Sequence, residues 1–132
     1  EKEGRPFTAE EVEFIHLHKT AAMISMATAA GAMIGGGSDE RIAALRDYGR
    51  WLGLAFQVVD DVLNVTGGKE LGKGTGTDAA RGKATYPALF GVEGSRARAR
   101  ELCQRGLEAL AGFDQKAEPL RALARFVVER DR

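Results

Sequence analysis

The stretch Phe56 to Val65 reads FQVVDDVLNV, and it sets adjacent carboxylates between two amides inside a strongly apolar segment. On a helix each residue advances about 100° around the axis, so Gln57, Asp60, Asp61 and Asn64, at i, i+3, i+4 and i+7, share one arc. Phe56, Val59 and Leu63, with Leu52 and Leu45 earlier, lie on the other side as the apolar face that a core requires. Two ionised carboxylates about 5 Å apart repel by roughly 3 kcal/mol at an effective dielectric near 20, so both stay charged only beside solvent or a cation. Oxygen donors of this kind suit a hard divalent ion. The bland rival, an exposed helix end, gives no reason for Gln57 and Asn64 to stand in line with the acids.

Directly beyond the stripe comes TGGKELGKGTGTDAARGKATYP, rich in glycine and carrying Lys69, Lys73, Arg81 and Lys83. It has no sustained period and reads as an extended segment, and long segments of that kind tend to be functional. Glycine lets backbone amides approach an anion closely. A cation site on a helix end with lysines just after it is the combination a diphosphate needs. The run GGKELGKG falls one residue short of the phosphate loop G-x-x-x-x-G-K-[ST], with Gly74 where a hydroxyl belongs. That loop also needs a strand before it and a helix after it, so the match is rejected.

Other residues with chemical potential read as structural. His16 and His18 are two apart, which puts them on different helix faces, so they are packing or hydrogen-bonding residues rather than a metal pair. Met23 and Met26 read as core filler, with the alternative that Met23, on the face of His16, Lys19 and Thr20, borders an apolar tail. Gly49 and Gly53 share the side of Gln57 and Asp61, where they either leave cavity room or permit close helix packing.

Helices must position all of these. FTAEEVEF offers Thr8 as N-cap, Glu11 to complete a capping box, and Phe7 with Val12 as a hydrophobic staple. The helix it starts runs through HLHKTAAMISMATAAGA until Gly35, Gly36 and Gly37 break it, and Ser38 or Asp39 caps the next. That second helix is long, with Ile42, Leu45, Leu52, Phe56, Val59 and Leu63 as its ladder, and is expected to end at Thr66. TYPALFGVE forms a short helix with Pro87 in its first turn. SRARARELCQRGLEALAGF and EPLRALARFVVERDR complete the count as two amphipathic helices. With no strand and no internal repeat, the fold class is all-α, a layer or bundle.

Composition narrows the function. A chain of 132 residues, 44% hydrophobic, has enough for one ordinary core. Lys+Arg and Asp+Glu balance at 19 each, so no global field argues for nucleic acid. Cys103 is the only cysteine, which excludes an internal disulfide and a cysteine-rich zinc site and fits a reducing compartment, the cytoplasm by default. The longest apolar run, AAMISMATAAGAMI, is too short for a transmembrane segment. The first residue is Glu1, not Met, so the sequence reads as beginning part way through a longer product.

Taken together, HLHKT, YGRWLGLAFQVVDDVLNVTG and LGKGTGTDAARGKATYPALFG closely resemble, in order and spacing, the C-terminal half of the trans-isoprenyl diphosphate synthases, or polyprenyl synthetases, which include farnesyl and geranylgeranyl diphosphate synthases. The match runs from about Phe7 onward, so residues 1–132 are expected to form the C-terminal helical portion of a polyprenyl synthetase domain with the isoprenoid (terpenoid) synthase helical fold. The resemblance implies a prenyltransferase that joins an allylic diphosphate to isopentenyl diphosphate with Mg2+. It makes Asp60 and Asp61 the first acids of the family's second aspartate-rich motif, a metal site completed at Asn64. It places Lys19, Thr20, Gln57, Lys73 and Lys83 on the allylic diphosphate. It also implies a homodimer for the full-length form.

Two departures qualify what is expected of this chain. Asn64 stands where the motif usually has its last aspartate; an amide still offers an oxygen but removes one negative charge. No first aspartate-rich motif is present, and in the family it lies in the N-terminal half with the residues that hold isopentenyl diphosphate. The chain alone is therefore expected to be inactive and to act as part of a longer or complemented chain. The alternative is a non-catalytic helical subunit that binds and modulates a full-length synthase. An unrelated helical phosphate-binding module is a third reading. Product length is set mainly near the first motif and is not legible here.

Overall fold

The structure is a computed structural model that describes residues 7–70 and 85–130, with the backbone alone at 68–70. It opens on α1 (Ala9–His16), which starts at the expected capping box: Thr8 Oγ1 accepts the Glu11 N–H at 3.3 Å, and the Glu11 carboxylate accepts the Thr8 N–H at 3.1 Å. The rod then widens into a π turn over Leu17–Ala21, closed by the Ala22 N–H bonding the Leu17 carbonyl, and continues as α2 (Ala22–Ile34). The glycine stop works by a left-handed cap. Gly36 adopts φ 70°, its N–H donates to Met33 O at 3.1 Å, and the Gly37 N–H donates to Ala32 O at 2.8 Å. Glycine holds that backbone conformation without the clash a Cβ would bring.

Ser38 Oγ accepts the Arg41 N–H at 3.4 Å and so starts α3 (Asp39–Glu70), the longest element. The expected end at Thr66 is four residues early. Thr66 Oγ1 bonds back to Val62 O at 3.0 Å instead of capping. Extending a nucleated helix gains a bond per residue, and glycine's penalty of about 1 kcal/mol does not stop it at Gly67. The rest of the glycine and lysine segment, 71–84, lies outside the described residues.

The next element, α4 (Tyr86–Ala109), has Thr85 as N-cap and Pro87 in its first turn. Gly91, at φ 71° and ψ 173°, bends it, so the short and long helices expected here are joined end to end. Ser95 Oγ donates to the Gly91 carbonyl at 2.7 Å and recovers one acceptor at the bend. After a 3-10 turn at Gln115–Ala117 comes α5 (Glu118–Glu129). Its Arg121 donates to Leu110 O at 3.0 Å, which also accepts the Phe113 N–H, and to Phe113 O at 2.7 Å, tying α5 to the turn that follows α4.

Helix α3 is the axis of the packing, with its largest contacts to α2 and α4. Leu52, Leu54, Ala55, Val58, Val59 and Val62 are buried around it, and Gln57 is buried with them at 8% exposure. The two-sided pattern read from sequence underestimates this enclosure: most of the circumference of α3 is covered. Tyr48 is fully buried, and its hydroxyl donates to Leu120 O at 2.7 Å, which ties α3 to α5. Gly49 and Gly53 serve close packing. A Cβ at Gly49 would meet Ser25 Cα at 2.7 Å, and one at Gly53 would meet Ala21 Cβ at 2.9 Å, both inside ordinary carbon contact.

Met23 and Met26 are not core filler: they are 63% and 70% exposed. With Phe14, Ile15, Met33 and Ile34, also exposed, they form an apolar face along α1 and α2 that no other described element covers. Among the described residues there is no strand, and no helix is long and apolar enough to cross a membrane.

Candidate functional site

The π turn brings the Lys19–Thr20 pair to α3. Thr20 Oγ1 donates to Gln57 Oε1 at 2.5 Å, so the hydroxyl and the buried amide hold each other. Lys19 is exposed on the same turn and has no ion pair among the described residues. A turn on from Gln57 come Asp60 and Asp61, both half-buried, and then the exposed Asn64. The sequence-predicted stripe is thus present on one helix, with Thr20 docked at its N-terminal end. Lys73 and Lys83 lie outside the described residues.

The two acids have different surroundings. Asp61 Oδ2 accepts the Tyr86 N–H at 3.2 Å and lies 3.3 Å from His16 Nε2. Asp60 carries no hydrogen bond or ion pair among the described residues. His16 stacks on the Tyr86 ring at 5.6 Å between centroids. The Tyr86 hydroxyl makes a short hydrogen bond to Glu13 Oε1, which also accepts from Arg98 at 2.8 Å, and Arg98 continues to Glu101 at 2.7 Å. Burial, then the hydrogen bond to Glu13, pushes the Tyr86 hydroxyl up to about 12. Burial alone would raise the Glu13 carboxyl, but the hydrogen bonds from Tyr86 and Arg98 outweigh it and hold the group below its ordinary value.

Sequence reasoning left His16 as a packing or hydrogen-bonding residue, and its partner proves to be one of the predicted acids. It missed Tyr86, Glu13 and Arg98, for which long-range packing is the only signal: Glu13 and Arg98 are 85 positions apart. Asp60, Asp61 and Asn64 offer hard oxygen donors, a set that fits Mg2+, which takes one or two carboxylates and fills its remaining positions with water and phosphate oxygens. No larger cluster competes, since among the described residues no three His, Cys, Asp or Glu side chains gather to hold a metal.

Comparison with known proteins decides the family, because the polyprenyl synthetase profile matches residues 1–120. The chain belongs to the polyprenyl synthetase family. It is 53% identical over 125 residues to the chloroplastic geranylfarnesyl diphosphate synthase of Leucosceptrum canum, covering 93% of this chain and 34% of that protein. It is 54% identical over 120 residues to the chloroplastic geranylgeranyl pyrophosphate synthase 11 of Arabidopsis thaliana, again with 34% of that protein covered. The chain therefore spans about a third of the curated relatives it matches.

Among solved structures, the geranylgeranyl pyrophosphate synthetase of Pyrococcus horikoshii superposes with a TM-score of 0.86 at 28% identity, over 97% of this chain and 51% of that one. The geranyltransferase of Helicobacter pylori, complexed with magnesium and isoprenyl diphosphate, gives 0.71 at 31% identity over 95% of this chain and 41% of its own. This polyprenyl synthetase segment accordingly has the all-α isoprenoid synthase fold expected from its motifs. The motif blocks HLHKT and FQVVDDVLN, 36 positions apart at their nearest, meet through Thr20 and Gln57.

Proposed function

We propose that this segment supplies the second aspartate-rich half of a prenyltransferase site, one that condenses an allylic diphosphate with isopentenyl diphosphate to a longer trans-polyprenyl diphosphate. The observation that carries the reading is the Thr20–Gln57 hydrogen bond, which fixes the lysine-threonine turn one helical turn from Asp60 and Asp61. In this reading residues 1–132 are the C-terminal helical portion of a polyprenyl synthetase domain. Asp60, Asp61 and Asn64 hold Mg2+, which when bound offsets the negative charge gathering on the departing diphosphate. Magnesium in the Helicobacter pylori relative supports that choice.

The chain's own groups do the rest. Lys19, with Lys73 and Lys83, offers ammonium groups to the diphosphate oxygens. The Thr20 hydroxyl, by donating to Gln57 Oε1, orients the Gln57 amide N–H toward the same anion. Such contacts strengthen as the carbon–oxygen bond ionises, so they stabilise the transition state more than the ground state. The allylic cation is then alkylated by the double bond of isopentenyl diphosphate, and loss of a proton completes the product. Apolar walls must exclude water during that step. The apolar face along α1 and α2 is where the remaining part of a family-length chain packs, and it supplies the first aspartate-rich motif. We infer a homodimer for the full-length form and inactivity for these residues alone. A reducing compartment fits the single buried Cys103, the cytoplasm by default, although the plant relatives carry chloroplastic names; cell fractionation tests this.

In the protein at its natural length, Asp60→Ala should lower kcat by roughly a hundredfold or more while binding of isopentenyl diphosphate changes little. Unchanged turnover would exclude Asp60 from the site. The second reading, a non-catalytic subunit, is favoured by Asn64, which removes one negative charge from the metal's donor set. It predicts no turnover at natural length and a changed rate when a complete synthase is added. Turnover by these 132 residues alone, abolished by Asp60→Ala, would show that the site is smaller than proposed.

A further inference from the structure

Asp61 and His16 hold each other in a way that packing alone does not explain. His16 is 4% exposed, and its Nδ1 is buried with no hydrogen-bond partner. A phenylalanine or leucine would fill that space without burying an orphaned ring nitrogen, which carries a free-energy cost. What the imidazole gains is on its other side, where Nε2 lies 3.3 Å from Asp61 Oδ2. The same oxygen accepts the Tyr86 N–H, and the Tyr86 ring stacks on His16. The Tyr86 hydroxyl then returns to Glu13, on the same helix as His16 and about a turn earlier. The contacts form a closed circuit from α1 to α3 to α4 and back to α1.

Resting on the metal-diphosphate reading above, we propose that His16 is the positioning residue of the acid pair: with the Tyr86 N–H it fixes the Asp61 carboxylate, leaving Asp60 free to engage the cation. Two adjacent carboxylates repel, and each must be compensated if both are to stay ionised. The clamp places the Tyr86 N–H, as a hydrogen-bond donor, and the His16 Nε2, at ion-pair distance, against Oδ2 of Asp61, so with a proton on Nε2 the carboxylate's charge is partly met by the protein. Asp60 has no such partner among the described residues, and its charge is available to metal and diphosphate. Groups behind a metal ligand that fix its orientation commonly change metal affinity tenfold or more when removed.

The test uses the protein at its natural length, with Mn2+ in place of Mg2+ and inorganic diphosphate as the probe. Bound Mn2+ is followed by electron paramagnetic resonance, and folding by thermal melting. His16→Gln brings an amide N–H to about the position of Nε2, His16→Asn falls short of it, and His16→Phe keeps the ring stack but has no donor. His16→Gln should bind Mn2+-diphosphate close to wild type, whereas His16→Asn and His16→Phe should bind about tenfold more weakly or worse. Should His16→Phe fail to fold, the Gln and Asn variants still decide. Equal affinity in those two, or a Gln variant as weak as the Asn variant, overturns the clamp. Asp60→Ala separates the two levels of the argument. If it binds Mn2+-diphosphate like wild type, the metal-diphosphate reading fails; if it loses binding while His16→Asn keeps it, only the clamp fails.

Discussion

Substituting Gly53 and Gly31 by alanine should shift stability in opposite directions, although the chemical change is the same. Gly31 lies exposed in α2 with nothing within 4 Å of the place a Cβ would take, so Ala there only removes backbone freedom from the unfolded chain. The gain is about 0.5–1 kcal/mol. At Gly53 the new Cβ would stand 2.9 Å from Ala21 Cβ and closer still to the Ala21 backbone. Comfortable carbon contact begins near ~3.5 Å and the Ala21 Cα would lie only 2.4 Å away, so the rod of α1 and α2 must retreat from α3 by roughly 1.1 Å. Backbone cannot rotate out of the way as a side chain can. A backbone clash of this depth sits at the upper end of the about 1–3 kcal/mol that overpacking costs, and a helix-propensity gain of about 1 kcal/mol leaves a net loss of about 2 kcal/mol. For a domain of this size, that is about 8 °C in Tm, against a rise of about 2–4 °C for Gly31→Ala. The functional reading follows from position: Ala21 adjoins Thr20, and the retreat stretches the Thr20–Gln57 bond of 2.5 Å. Thermal melts of both variants, with Mn2+-diphosphate titrations beside them, provide the assay. A Gly53→Ala protein as stable as Gly31→Ala, or one that is destabilised yet binds diphosphate normally, would refute the link between close packing and the site.

Asn64→Asp should tighten Mn2+ binding severalfold, because it returns a negative charge to the metal's donor set, and it should leave Tm within a few degrees because Asn64 is exposed; weaker metal binding would remove Asn64 from that set. Glu13→Gln should matter at neutral pH and cease to matter in acid. The folded Glu13 carboxyl sits below its ordinary value of 4.5. Its contribution to stability is therefore full above that value and is lost as pH falls through the lower folded pKa. Denaturant midpoints of wild type and variant should converge as pH falls below the ordinary value of 4.5 and through the lower folded pKa, and a gap that persisted or widened in acid would show that the carboxylate is not the stabilising form.

Local signals were legible in the sequence because local chemistry decides them. Thr8 with Glu11 fixed the first helix start, Gly35 to Gly37 its end, Ser38 or Asp39 the next start, and Pro87 the start of α4. Spacing alone placed Gln57, Asp60, Asp61 and Asn64 on one helix. What the sequence hid depends on contacts between distant residues. No periodicity joins His16 to Asp61, or Glu13 to Tyr86 and Arg98. The burial of Gln57 follows from covering α3 on several sides, which a single-helix pattern cannot report. Met23 and Met26 look like core residues by type, but type does not say whether another element is there to cover them. The choice between cavity and contact at Gly49 and Gly53 likewise needed the partner helix.

The widened turn at Leu17–Ala21 is where the rod stores one spare residue. A π turn accommodates one residue more than the α-helix it interrupts, and its five residues sweep about the same angle as four of α-helix, so the halves on either side keep their phase. Deleting any one of these five would let the rod close into unbroken α-helix, with His16 still facing Asp61 and Val12 still in the core. What changes is the turn itself, which carries Lys19 and Thr20. The turn therefore acts as local slack that aims this pair at α3 independently of the helices that flank it. A single-residue deletion here would leave helical content and core packing intact while re-aiming the pair, a lesion that circular dichroism would miss and diphosphate binding would reveal.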